Sequence, residues 1–273
     1  MKYFKDQVLG GTRVDSQGEK IPKYVLDKFV LSCQGKKQPL NQDHDLMHKN
    51  AGYIENIRLV EDVNNAGEWS LIGNVFCETN DLKISLGGFS ISYFEITEEL
   101  SPSPELIIYL PYPHYNDQSV IDAISMGSDV NVGRWVKKGA EPASIALIGA
   151  TTVIILKSVW EDLYKTYIAP KIYSYFSEKC EEFKSRNIST DLIQVVDYNG
   201  RNIQITFIPI RGAEKDCFSI DYLDSALKSV HAYLYSESKG DEISSIHLYF
   251  HDKTTGFKIH RVEFLDGNVE HHA

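Results

Sequence analysis

The chain has no surplus of positive charge, no paired cysteines and no apolar run long enough to cross a bilayer. Its 28 Lys and Arg stand against 38 Asp and Glu, a net charge of −10. The deficit is spread evenly, with 20 acids and 14 bases in residues 1–156 and 18 and 14 in residues 157–273. No half carries a basic face, which argues against nucleic acid as the main partner, although totals leave a local patch open. The four cysteines, Cys33, Cys77, Cys180 and Cys217, lie far apart and none forms a C-x-x-C pair. This spacing argues against a zinc knuckle, and buried, reduced thiols are expected. Met1–Asp6 lacks the apolar core of a signal peptide, so a cytoplasmic protein is expected. Ala143–Leu156 is uncharged for 14 residues and ends at Lys157. A spanning helix needs about 20 apolar residues, so this run reads as a buried core element. A membrane-associated regulator rests on that run alone. No internal repeat or low-complexity linker is present.

What is present is an ordinary globular composition, 42% hydrophobic and 24% charged, which calls for a packed core. Alternating runs recur at Tyr53–Val60, Trp69–Phe76 and Gly88–Ile96, bounded by Asn, Gly and Asp. Such runs predict strands of a barrel or sandwich, with Asn64–Gly67 as a turn between two of them. Pro22 opens a predicted helix whose apolar face is Val25, Leu26, Phe29 and Val30. Leu106–Leu110 reads as a strand, Pro111–Tyr115 as a loop and Gln118–Met126 as a short helix.

Beyond Lys157 the pattern becomes helical. Trp160, Leu163, Tyr164, Tyr167 and Ile168 share one face, and Ile172, Phe176, Cys180 and Phe183 continue it past Pro170, which should kink or divide the helix. Leu192–Val196 and Ile203–Ile208 flank Asn199-Gly200, a strong hairpin signal. A helix over 222–235 with Leu223, Leu227, Val230 and Leu234 inward follows, then strands at 243–250 and 257–265. Glu270–Ala273 reads as an exposed tail.

The residues with chemical potential lie early in the chain. Val14-Asp15-Ser16-Gln17-Gly18-Glu19 precedes the first helix, and Asn41-Gln42-Asp43-His44-Asp45 follows it. The Glu68–Leu71 strand start comes next, and Gly87-Gly88-Phe89-Ser90-Ile91 closes the series. In order and spacing this series resembles the phage prohead (capsid-maturation) serine proteases, whose barrel fold is shared with the herpesvirus assembly proteases. The likeness covers residues 7–94, and the gap from His44 to Ser90 is 46 residues. It implies Ser90 as nucleophile and His44 as general base. A hydroxyl is a poor nucleophile until a neighbouring imidazole takes its proton, which explains the residue types.

The family also places an acid in a later strand. Here Ser144 holds that position, and Glu141, three residues earlier, is the candidate third member. Ser92 stands where the family has glycine, near a prospective oxyanion hole. The plainer readings are an ordinary strand serine for Ser90 and a solvated loop for His44. Asp43, Asp45 and His48 around His44 would also suit a metal. Pro111–Asp117 is a second candidate surface, or simply a packed loop.

The fold expected is therefore α+β: a β-barrel-like protease-type domain with helices over 1–156, then a helix and a small ββαββ accessory domain over 157–273. The function expected is an intracellular serine endopeptidase that cuts itself or one protein partner. The alternative is a catalytically inactive binding or scaffolding protein on the same fold, of phage, prophage or bacterial origin. No cofactor is expected, the partner is a protein, and homo-oligomers are left open.

Overall fold

Alternating apolar residues need a partner sheet before they become strands, and the computed structural model supplies two sheets. It describes residues 1–15, 18–40, 51–77, 91–96, 106–126, 130–138, 145–150, 154–155 and 164–272. The protein is mixed α+β and divides into two compact units. One comprises residues 1–93, 136–141 and 264–269, and the other the remainder.

In the first unit, β1 (Lys2–Gly11), β2 (Gln38–Leu40), β3 (Gly52–Glu61) and β4 (Trp69–Cys77) form an antiparallel sheet in the order β1-β4-β3-β2. Among the described residues this sheet does not close on itself. The Asn64–Gly67 signal is the turn joining β3 to β4. There Asp62 N–H donates to the Glu68 carbonyl, and the Asp62 carboxylate accepts from Asn64 N–H. The helix expected after Pro22 is α1 (Lys23–Cys33). Leu26 and Cys33 on it join Leu9, Ile54, Leu71, Val75 and Cys77 of the sheet in one apolar cluster. Gly52 has φ +150°, and a Cβ there would lie 1.8 Å from the Phe76 carbonyl oxygen, so only glycine allows β3 to approach β4 so closely. Across the sheet Tyr3, Phe76 and Tyr53 stand in register, with ring centroids 4.8 Å apart at each step.

The second sheet contains β5 (Ile91–Ile96), β6 (Leu106–Pro111), β7 (Val130–Lys138), β8 (Ile145–Ala150) and β9 (Ile154–Ile155). It continues through β10 (Ser189–Tyr198), β11 (Arg201–Ile208), β12 (Ile243–Asp252), β13 (Gly256–Phe264) and β14 (Val269–His271). Its order is β14-β13-β12-β11-β10-β8-β6-β7-β5, with β9 also on β10. Parallel neighbours need a crossover, and helices provide them. Helix α2 (Gln118–Ser125) lies between the parallel strands β6 and β7. Helix α3 (Ala169–Ser185) lies between β8 and β10. After the short α4 (Glu214–Cys217), helix α5 (Ile220–Ser236) lies between β11 and β12.

Most local expectations hold in this unit, but Tyr167, expected on the apolar face with Tyr164, is exposed. Asn199 and Gly200 have φ +54° and +77°, as a two-residue hairpin turn between β10 and β11 requires. Pro170 sits in the first turn of α3, where a π-helical turn, Tyr164–Ile168, meets it. Ile172, Phe176, Cys180 and Phe183 are buried, as are Leu223, Leu227, Val230 and Leu234 on α5. Trp160 and Leu163 lie outside the described residues. The apolar run after Ala143 contributes strands β8 and β9. The C-terminal tail differs from expectation. Val269–His271 is a strand, because the backbone groups beside β13 offer partners that a free tail lacks: His272 N–H donates to the His260 carbonyl at 2.8 Å.

All four cysteines are buried free thiols. Among the described residues, no helix is long and apolar enough to cross a membrane.

Candidate functional site

Ser90, His44 and Glu141 all lie outside the described residues, as do Ser144 and the Asp43–His48 group. Described elements flank them in sequence: β2 ends at Leu40, and β5 begins at Ile91, the residue after Ser90. The first motif of the series is described in part. Asp15 Oδ1 accepts from Glu19 N–H at 2.9 Å, and Gly18 N–H donates to the Asp15 carbonyl. This closes a turn ahead of α1, with Gly18 at φ +83°.

The Pro111–Asp117 segment is a packed loop. The Tyr112–Pro113 bond is cis, Tyr115 is buried, and the Arg134 guanidinium lies 5.3 Å from its ring centroid. Asp117 caps α2 by accepting from Ser119 N–H at 2.9 Å and Val120 N–H at 3.4 Å. Burial lowers the His114 pKa, with Asp117 pulling the other way. Among these residues the carboxylate and the rings are spent on the loop's own cohesion.

The densest chemistry among the described residues lies on the C-terminal hairpin and went unread in the sequence. Residues alternate between faces along a strand, so Ile246, Leu248 and Val262 enter the core while Ser245, His247, Arg261 and Glu263 share the other face. Arg261 is wholly buried, and its Nε donates to Glu263 Oε1 at 2.9 Å. Ser245 Oγ donates to Glu263 Oε2 at 3.1 Å, and His247 Nε2 lies 3.6 Å from Oε1. On β10, one strand beyond β11, Asp191 is paired to Arg211 at 2.6 Å. The sequence signal was available: polar residues at every second position, Ser245 and His247 on one strand and Arg261 and Glu263 on the next.

A serine, a histidine and a glutamate in contact invite comparison with a catalytic relay, and the geometry rejects it. In a relay the carboxylate holds one ring nitrogen while the other faces the hydroxyl. Here Ser245 Oγ, at 3.3 Å, and Glu263 both meet Nε2, while Nδ1 is buried without a hydrogen-bond partner. Burial by itself would raise the Glu263 carboxyl, but the hydrogen bond and charge of His247 and the charge of Arg261 outweigh it and hold it at about 2. The group is a buried ion network that balances Arg261. Burial pushes the Asp191 carboxyl up against the pull of Arg211. Among the described residues no cluster of three or more His, Cys, Asp or Glu is arranged to hold a metal ion.

No protein-family model, curated protein or solved structure matches this chain.

Proposed function

We propose that the N-terminal part of this protein is a serine endopeptidase of prohead-protease type, built on a barrel-like sheet. Ser90 is its nucleophile, His44 its general base and Glu141 the candidate orienting acid. The observation that carries the reading is the ordered series of motifs in residues 7–94, in which a D-x-x-G-E turn leads into a helix, then a histidine loop, then a G-F-S-I run. The closed turn between Asp15 and Glu19 and helix α1 behind it suit the first part of that series.

In the reaction, Ser90 Oγ attacks a peptide carbonyl carbon as its proton passes to His44. The imidazolium then protonates the departing amine, leaving an acyl-enzyme. Water, deprotonated by His44, releases the acid and restores the hydroxyl. The substrate is a protein, either this chain or one partner, and the setting is a reducing compartment such as the cytoplasm, in phage, prophage or bacterium. The C-terminal strands and helices would serve as a docking or sensing part.

Ser144 at the acid position and Ser92 in place of glycine favour a second reading, a binding or scaffolding protein that keeps the fold without the chemistry. Incubation with a serine-directed fluorophosphonate, followed by intact-mass analysis, separates the two. The protease reading expects a single adduct or self-cleavage in the parent, lost in Ser90→Ala and strongly slowed in His44→Ala. Identical unreacted spectra for parent and variants would leave the binding module standing.

A further inference from the structure

We infer that a cleft between the end of α1 and a bulge in β3 binds a phosphate-bearing small molecule of mononucleotide size. This goes beyond the protease reading and does not depend on it. The cleft encloses about 500 Å³ and is lined by residues 33–37 on one wall and 55–58 on the other, all in the first unit. Small-molecule sites commonly occupy about 300–1,000 Å³. Its shape has a local cause. The β3–β4 register slips between Glu55 and Arg58, with Asn56 at φ +54°, so β3 bends out of the ladder. Opposite it, α1 stops at Cys33, and Lys36 N–H closes a turn onto the Cys33 carbonyl.

The charge of the cleft runs against that of the chain. Among the described residues, Lys36, Lys37 and Arg58 line it against a single acid, Glu55, in a protein of net charge −10. Elsewhere in this unit Arg13 is paired to Asp62, Lys20 to Glu68 and Lys23 to Asp27. Lys36 and Lys37 have no carboxylate partner among the described residues, and Lys37 Nζ instead rests 4.0 Å from the Tyr53 ring centroid. Arg58 is held by Asp6 at 2.6 Å on the exposed side.

Lysines just past a helix end complement its dipole, and that accounts for their presence after α1. It does not account for a guanidinium from the facing strand or for the space between them. A phosphate group brings nearly two negative charges and three acceptor oxygens, which suit the adjacent Lys36 and Lys37, with Arg58 lining the same cleft while it holds Asp6. The buried Cys33 thiol adds no opposing charge, since burial raises its pKa, against the smaller pulls of Ser32 and Lys36.

The test is calorimetric titration of the full chain with pyrophosphate, ADP, adenosine and citrate at low salt. Pyrophosphate and ADP should bind saturably, and adenosine should not. Lys36→Ala/Lys37→Ala should weaken binding about tenfold or more, while Lys5→Ala, an exposed change on β1, should leave it at the parent value. Circular dichroism checks that each variant is folded. ADP binding more tightly than pyrophosphate would add a base contact, and equal affinities would mean that the site reads phosphate alone; both support the inference. Absence of saturable binding by either phosphate compound, an unchanged affinity in the double variant, or citrate binding as tightly would each overturn it.

Discussion

Arg261 is the residue whose environment departs furthest from habit, since an arginine with no exposed surface must have its charge answered inside the protein. Glu263 answers it and is held ionised to about pH 2. Because the folded carboxyl sits below its unfolded value of about 4.3, it adds stability at neutral pH on the order of 3 kcal/mol. That contribution is intact above pH ~4.3 and fades as pH falls towards 2. Asp191 acts in the opposite sense: its raised carboxyl costs stability when ionised and returns some as acid is added. Glu263→Gln should therefore lower unfolding stability in urea at pH 7 by about 3–5 kcal/mol, because it leaves a buried guanidinium unbalanced. The variant should also show a flatter loss of stability between pH ~4.3 and 2. A variant with the parent's acid dependence would show that Glu263 is not the group responsible.

At the scale of elements, local sequence rules explain most of what forms. Leu223, Leu227, Val230 and Leu234 fall at helical spacing on α5 and are all fully buried. Leu227→Ala should cost about 2–5 kcal/mol, measured by urea unfolding, according to how far the neighbours close the cavity. A cost near zero would mean that the helix packs elsewhere. The hairpin between β10 and β11 turns on Gly200 at φ +77°. A β-branched residue is strained there, so Gly200→Val should cost about 1–2 kcal/mol with no change in fold, read by the same unfolding curves and by circular dichroism. The cap of α2 follows the same logic, with Asp117→Ala losing about 1 kcal/mol.

For the whole molecule, the governing fact is that β10 is an interior strand. It pairs antiparallel with β11 on one side and parallel with β8 and β9 on the other, with Ser189–Ile193 in register with Ile145–Gly149. A fragment starting at residue 157 therefore removes β8 and β9 and leaves one edge of β10 bare. Such an edge templates association. Residues 157–273 made alone should elute as aggregates or lack fixed tertiary signals in near-ultraviolet circular dichroism, whereas the full chain should not. A monomeric, well-folded fragment would show that the β8 pairing is dispensable. The first unit has the same character, because it takes in residues 136–141 and 264–269 as well as 1–93.

Periodicity, turn residues and helix starts act within a few positions of the chain, and these the sequence determined by itself. Pro22 with its apolar stripe specified α1, Asn199-Gly200 specified a hairpin, and the leucines of 223–234 specified the buried face of α5. The candidate residues Ser90, His44 and Glu141 are implied by the resemblance to the prohead proteases, and they fall outside the described residues. Only the tertiary structure decided that the apolar run after Ala143 lies beside β10, that Val269–His271 is a strand, and that Arg261 is buried against Glu263. The physical reason is that alternation says which face of a strand is apolar but not which strand lies next to it. That choice depends on backbone hydrogen bonds and packing between segments far apart in the chain, here bridged by helical crossovers, and no local residue encodes the partner.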